Sequence, residues 1–465
     1  MTNDASVSGR FLTGLTVQSG SAIDHSTRKL KEVASPPQLL PSVVDSELNI
    51  ICHRRTEIEW PLGRSARSSH GEIAMEWRPA EAGENRNFKI PERWLHVYYY
   101  EAFNILFRFE NALRIFVYVV LKRQFGKDWD LTALGDGITI RTETKKRIQQ
   151  TREYGYLGYE VSSPMLFLNS GELTQIITSE AYWKHFAPFF RASKAIVLTK
   201  LQEIGTVRNS LAHFRPIKQD DIDLIKQNSK HLLIEIENCL VQLTSISDVV
   251  PTNSEDAWYK ELKPIGNDHW RTHLLSSRDQ QWIRAHLTYT IPILHKNGPP
   301  KYLNYRVGTL RTSQILRLHP EIRETCIYLS ESAVYPRMID NETLQATKTI
   351  SIVFSKFTLE SNLSKIETAL KALALKVEAE TELIQQDALA RGDLVEAKNI
   401  SAYLREGASG YTYWDFNTES LTTSVADIDE VEYWGQRSHY TTDFISSTSH
   451  YPWMPSSVSE EEIPF

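Results

Sequence analysis

The chain has 465 residues, 41% apolar and 24% charged, with a net charge of −6 at neutral pH. This is enough chain for two or three domains of ordinary globular composition, and it has no overall basic field, so any contact with nucleic acid must come from a local patch. Three widely spaced cysteines, Cys52, Cys239 and Cys326, suggest neither a disulfide framework nor a zinc knuckle and fit a reducing compartment; with no apolar run of about 18 residues and no signal-like amino terminus, the expectation is a soluble, cytoplasmic protein that needs no membrane.

Residues 1–90 read as a partly flexible segment, rich in Ser, Thr and Gly near its start, with room for one or two short strands in SELNIICHRRTEIEW. A strongly helical pattern follows from Pro91, a residue suited to a first helical turn. Leu106, Phe109, Leu113, Phe116, Val117 and Val120 recur at helical spacing, and the apolar residues flanking them predict a helix covered on more than one side. Gly126 reads as its stop. Residues 127–165 are polar, with a short helix around TETKKRIQQTREYG; further helices are expected after Ser170 and around Trp183.

The next helix carries LQEIGTVRNSLAHFRPI, with Val197, Leu201, Ile204, Val207, Leu211 and Phe214 as its apolar stripe. Asp220 and Asp221 suit the start of the following helix, whose stripe runs from Ile222 to Leu243. Residues 91–247 therefore read as one all-α bundle. SDVVPTNSEDAW looks like a boundary, beyond which WIRAHLTYTIPIL, YLNYRVGTL, ETCIYLS and TKTISIVFSKF are short and β-rich. Residues 364–392 predict a helix with a capping box at Ser364 and Glu367 and an end at Gly392, and DLVEAKNISAYLREG a second. Residues 260–410 make an α+β domain of unassigned role, and 411–465 an aromatic and acidic tail.

On an α-helix Asn209 and His213 share a face, while Arg208 lies to one side. Arg208 and His213 are separated by roughly 7.5 Å along the axis, so their heads do not converge within one helix. If two copies of the helix meet antiparallel across a two-fold axis, Arg208 of one chain comes near His213 of the other. Such a cleft supports phosphodiester transfer without metal. RNA supplies its own 2′-OH nucleophile, histidine titrates near neutral pH, and arginine holds and neutralises phosphate oxygens. Asn209 could orient the imidazole or bind phosphate. Pro216 disfavours helical geometry at Arg215 and so places His213 in the last turn. The bland reading of the same residues is a solvated helix end.

Arg208, Asn209 and His213, preceded by an apolar helix and followed by RP and an acidic helix start, resemble the HEPN superfamily (higher eukaryotes and prokaryotes nucleotide-binding). Its hallmark is an arginine, four to six residues, then a histidine, often with a polar residue directly after the arginine. FENALRIFVYVVL and LNSGELTQIITSEAYWKHF look like the corresponding regions of bacterial conflict and abortive-infection proteins. The resemblance covers residues 91–247. It implies a HEPN-like dimerising bundle and, in active members, cofactor-free endoribonuclease activity leaving a 2′,3′-cyclic phosphate. The expected partners are RNA, a second copy of the chain and a regulatory or antitoxin partner, in antiviral defence or as a toxin. Members that have lost catalysis serve as scaffolds, which is the alternative expectation here, with the carboxy-terminal domain carrying the specific interaction.

Glu110 and Arg114, four apart, read as an intrahelical ion pair or as a support that steadies Arg208 or His213. Lys145–Arg147 with Arg141 and Arg152 reads as a solvated helix face, with a phosphate-tracking patch as the alternative. GYTYWDFN reads as packing before base stacking. No histidine or cysteine set has metal-ligand spacing, and neither a Gly-rich phosphate loop nor a nucleophile elbow occurs.

Overall fold

A computed structural model of the chain describes residues 81–82, 88–89, 99–135, 137–154, 163–339, 343–407, 410–423 and 430–437. The flexible segment and strands expected before residue 81, with Cys52 and Pro91, lie outside these residues. Two short strands, β1 (Glu81–Ala82) and β2 (Phe88–Lys89), pair with each other.

Helix α1 (Tyr100–Phe125) buries its whole expected stripe, and Ile115 through Lys122 are buried without a break. A helix segment apolar all round must be enclosed on every side, and over 115–122 this one is, while its first turns keep Phe103 and Phe107 exposed. It stops at Gly126, whose φ of 54° a side chain would strain. A hairpin, β3 (Ala133–Gly135) and β4 (Ile138–Thr139), precedes α2 (Ile140–Tyr154). α3 (Ser170–Thr178) opens with a capping box between Asn169 and Glu172. α4 (Trp183–Phe186), α5 (Lys194–Ala212) and α6 (Gln219–Thr244) follow. The Asp221 carboxylate accepts the Lys218 N–H at 2.8 Å, closing the start of α6.

Beyond α6 come β5 (Asp248–Val249), α7 (Ala257–Leu262), β6 (Trp270–Ser276), β7 (Trp282–Thr290), β8 (Ile293–Asn297) and β9 (Tyr302–Leu310). Then come α8 (Thr312–Leu318), α9 (Pro320–Thr325), β10 (Tyr328–Glu331), β11 (Arg337–Met338), β12 (Leu344–Gln345) and β13 (Thr347–Ser355). The chain continues through α10 (Lys356–Ser361), α11 (Leu363–Gln385), β14 (Val395–Glu406), β15 (Thr412–Asn417) and β16 (Tyr433–Gln436). Six strands form one sheet in the order β16-β10-β13-β7-β6-β5, antiparallel except where β16 lies parallel to β10. A four-stranded antiparallel sheet has the order β15-β14-β9-β8, and β11 pairs with β12.

The expectation of an all-α, HEPN-like bundle in the first half followed by an α+β domain is corrected here. Helices do come first and a sheet-rich region second, but no clear all-α bundle is present among the described residues. The hairpin β3–β4 interrupts the helices, and their core is not their own. Trp282, Tyr328, Val353 and Trp434 belong to the cluster that holds Phe116, Tyr118, Leu211 and Ile236. Their sequence neighbours Ile283, Leu329, Ile352 and Tyr433 belong to a second cluster, with α11 and the four-stranded sheet. Successive strand residues point to opposite faces, so the six-stranded sheet packs on helices α1 and α6 through one face and on the second core through the other. The fully buried middle of α1 requires this cover, and a self-contained bundle would have left it without a lid on that side.

Polar contacts seal the seam. Tyr118 donates its hydroxyl to the Ile327 carbonyl at 2.6 Å, and Tyr328 donates to the Leu243 carbonyl at 3.3 Å. The buried Lys122 ammonium reaches Glu432 Oε1 at 2.6 Å and the Arg323 carbonyl at 2.9 Å. Tyr328 and Trp434 stack with ring centroids 4.0 Å apart.

Three local expectations also change. DLVEAKNISAYLREG is strand β14, not a second helix: nine residues pair with β9 and six with β15, and ladder pairing outweighs the helix propensity of its Ala, Leu and Glu. α11 ends at Gln385, and Gly392 serves another purpose. A Cβ there would lie 2.3 Å from the Glu380 carboxylate, which accepts the N–H groups of Asp393, Leu394 and Val395. The capping box at Ser364 is absent: Asn362 precedes the helix, and Glu367 bonds Lys371 instead. No helix among the described residues is long and apolar enough to cross a membrane.

Candidate functional site

The site is built where α1, α3 and α5 meet. The apolar positions Val197, Leu201, Ile204, Val207 and Leu211 are buried and fix the rotation of α5. Arg208 is thereby set at the margin of the core, with a third of its side chain exposed. On α1, Glu110 and Arg114 lie one turn apart and are nearly covered, at 12% and 14% exposure. They form the intrahelical pair, and Glu110 also reaches across. Its Oε2 accepts Arg208 Nε at 3.2 Å and the Ser170 hydroxyl at 2.7 Å. Arg114 also donates to the Leu168 carbonyl, at 3.3 Å from Nε and 3.1 Å from Nη2.

One carboxylate is thus shared by two guanidiniums and a hydroxyl, so the cluster carries surplus positive charge. Burial depresses the Arg114 pKa; Glu110 counters this and the Arg208 charge adds to it. Glu110 holds Arg208 by Nε, which leaves the two Nη groups clear of that carboxylate on a side chain one-third exposed. Nη1 makes a long contact of 3.4 Å to Asn209 Oδ1, and Nη2 makes no hydrogen bond among the described residues. A guanidinium anchored on one edge and open on the other is suited to grip phosphate oxygens.

His213 stands just outside α5, which ends at Ala212. Its backbone N–H bonds the Asn209 carbonyl at 3.2 Å, and its side chain is exposed. No hydrogen bond joins the imidazole to Arg208 or Asn209 among the described residues. The site therefore gathers Glu110, Arg114, Arg208 and Asn209, while His213 touches it through its backbone and not through its imidazole.

Phe214, expected on the apolar stripe, is 94% exposed. The Arg215 N–H bonds the Ser210 carbonyl at 2.8 Å, which closes the helix with Phe214 at φ 55°. That turn normally takes glycine, and it throws the ring out of the stripe. Ser170 was missed by sequence reasoning: the capping box locates the start of α3, but nothing local shows that a residue 60 positions away needs its hydroxyl.

Beside the cluster, a groove of about 620 Å³ runs between α3 and α5. Two of the basic residues of α2 are turned to other uses: Arg141 bonds Asp130, and Arg147 bonds Glu143 and Glu172. Burial raises the thiols of Cys239 and Cys326 to about 12, so neither is a ready thiolate. Among the described residues no group of three or more His, Cys, Asp or Glu is placed to hold a metal ion. Comparison with family models, curated proteins and solved structures finds no match to this chain.

Proposed function

We propose that the chain is a metal-independent endoribonuclease in which two protomers pool Arg208 and His213. The observation that carries this reading is the anchoring of Arg208 by Glu110 with its Nη edge open, five residues before an exposed histidine on the same helix end. In the reaction a base takes the 2′-OH proton, O2′ attacks phosphorus, the P–O5′ bond breaks, and an acid returns a proton to O5′. The products are a 2′,3′-cyclic phosphate and a 5′-hydroxyl. Arg208 neutralises the charge that grows on the non-bridging oxygens. His213 of the second protomer serves as base, acid or phosphate ligand, and Asn209 assists. Glu110 and Arg114 position Arg208 rather than touch substrate. Resemblance to the HEPN superfamily supports the chemistry, the homodimer and a setting in cytoplasmic antiviral defence or toxin action. A role for the sheet-rich region in restraining the nuclease rests on analogy.

A second reading, a non-catalytic dimerisation and RNA- or nucleotide-binding scaffold, is favoured by the almost fully exposed Phe214 beside His213. The two are separated by incubating RNA with the full chain in EDTA. Chelator-resistant cleavage that leaves 2′,3′-cyclic phosphate ends, reduced at least about a hundredfold in His213→Ala and Arg208→Ala, is the expected outcome. Binding without cleavage in the wild type, or cleavage untouched by both substitutions, defeats the nuclease.

A further inference from the structure

We infer that the groove between α3 and α5 is a nucleobase subsite, which receives the base next to the phosphate held by Arg208; this rests on the RNA-cleavage reading of that site. Its volume of about 620 Å³ lies within the range of small-ligand sites. Its lining holds no charged side chain. Leu198 and Leu201 supply an apolar surface, and Thr174, Gln175, Gln202 and Thr206 supply hydroxyls and amides. This is the chemistry of a flat, neutral, heteroatom-edged ring: apolar contact for the face, paired donors and acceptors for the edge. The two threonine hydroxyls donate to the backbone one turn earlier, which leaves their oxygens as acceptors. The two amides bring both donors and an acceptor each.

The groove is joined to the phosphate-binding end by two residues that belong to both. Ser170 lines the groove and donates to the same Glu110 oxygen that holds Arg208. Asn209 lines the groove and faces Arg208 Nη1. A nucleotide with its phosphate on Arg208 therefore has a polar trough beside it for its base.

Gly205 is the independent sign. It sits inside α5, where glycine is disfavoured relative to alanine. A Cβ added there would meet nothing within 4 Å, and its φ needs no glycine. Neither backbone conformation nor packing within the chain explains the residue. The space above it opens into the groove, and an occupant of that space explains why a side chain is excluded.

The test uses the full chain, its Gly205→Leu and Gln202→Ala variants, and four labelled 2′-O-methyl homotetranucleotides, which lack the nucleophile and cannot be cleaved. Leucine is a better helix former than glycine, so Gly205→Leu fills the groove without weakening the helix. The wild type is expected to bind one base at least fivefold tighter than the weakest. Gly205→Leu should level the four affinities, with melting temperature not lowered and oligomeric mass unchanged, and Gln202→Ala should shrink the discrimination. Equal binding of the four by the wild type, full discrimination retained in Gly205→Leu, or a changed oligomeric mass in that variant each overturns the subsite. Mapping cut positions on a natural RNA separates the two claims. Cleavage with no base preference leaves the nuclease standing and removes the subsite. Base-selective binding lost in Gly205→Leu, without any cleavage, does the reverse.

Discussion

Two of the ion-pair sites on helix α1, at Glu110 and Lys122, lie twelve residues apart and do opposite things. At Lys122 one ammonium meets one carboxylate, Glu432, with side chains 2% and 10% exposed and a backbone carbonyl completing the set. At Glu110 one carboxylate meets two guanidiniums, and the second, Arg208, keeps a third of its surface in solvent. The first arrangement is balanced and closed, and its charges are consumed in joining helices to sheet. The second is unbalanced and open, and its surplus charge faces outward where a phosphate could take it. Charge that is paired and sealed is architecture; charge that is positioned but left over is available for chemistry.

The largest effect that would sharpen this contrast is at the closed site. Glu432→Ala should destabilise the fold by about 3–5 kcal/mol, because it strands a buried ammonium. Lys122→Met with Glu432→Leu should recover most of that, measured by denaturant unfolding. A double variant as unstable as the single one would show that the pair does more than balance itself. Next comes acid sensitivity on the helix-facing side of the sheet. Burial first, then the charges of Arg284 and His273, lower the His286 pKa to about 4 from an ordinary 6.5. Above pH 6.5 the residue is neutral folded or unfolded and adds no pH dependence. Between 6.5 and about 4 only the unfolded chain takes the proton, so stability falls with pH by up to about 1.4 kcal/mol per unit. His286→Leu should flatten that slope in unfolding curves taken across the window.

At the open site Glu110→Gln removes the anchor but keeps the shape. It should cost about 1–3 kcal/mol by leaving Arg114 without its counter-charge, and it should lower cleavage about tenfold or more through Arg208. If cleavage and stability fell only in proportion to unfolded protein, Glu110 would belong to architecture after all. The smallest change is Phe214→Gly. Relief of the left-handed backbone should raise stability by about 1 kcal/mol. RNA binding should weaken, since the exposed ring is lost.

How far these residues could be read in advance differs between the elements. The apolar spacing of α1 and α5 located both helices, because a 3.6-residue period leaves a visible stripe. It failed at Phe214, where the period continued but the backbone did not. β14 was misread because helix-favouring residues filled a strand whose partners, β9 and β15, lie elsewhere in the chain. Glu110 was visible as a neighbour of Arg114; that it also holds Arg208, 98 residues away, was open as an alternative and no more.

Residue order alone determined where the helices run, which faces of them are apolar, and that Arg208, Asn209 and His213 cluster at a helix end, because these follow from spacing along one backbone. Only the tertiary structure decided that the helices share their core with a six-stranded sheet, that Arg208 and Ser170 converge on Glu110, and that Gly205 borders an open groove. Those are contacts between distant segments, set by which buried surfaces fit together, and local spacing carries no record of them.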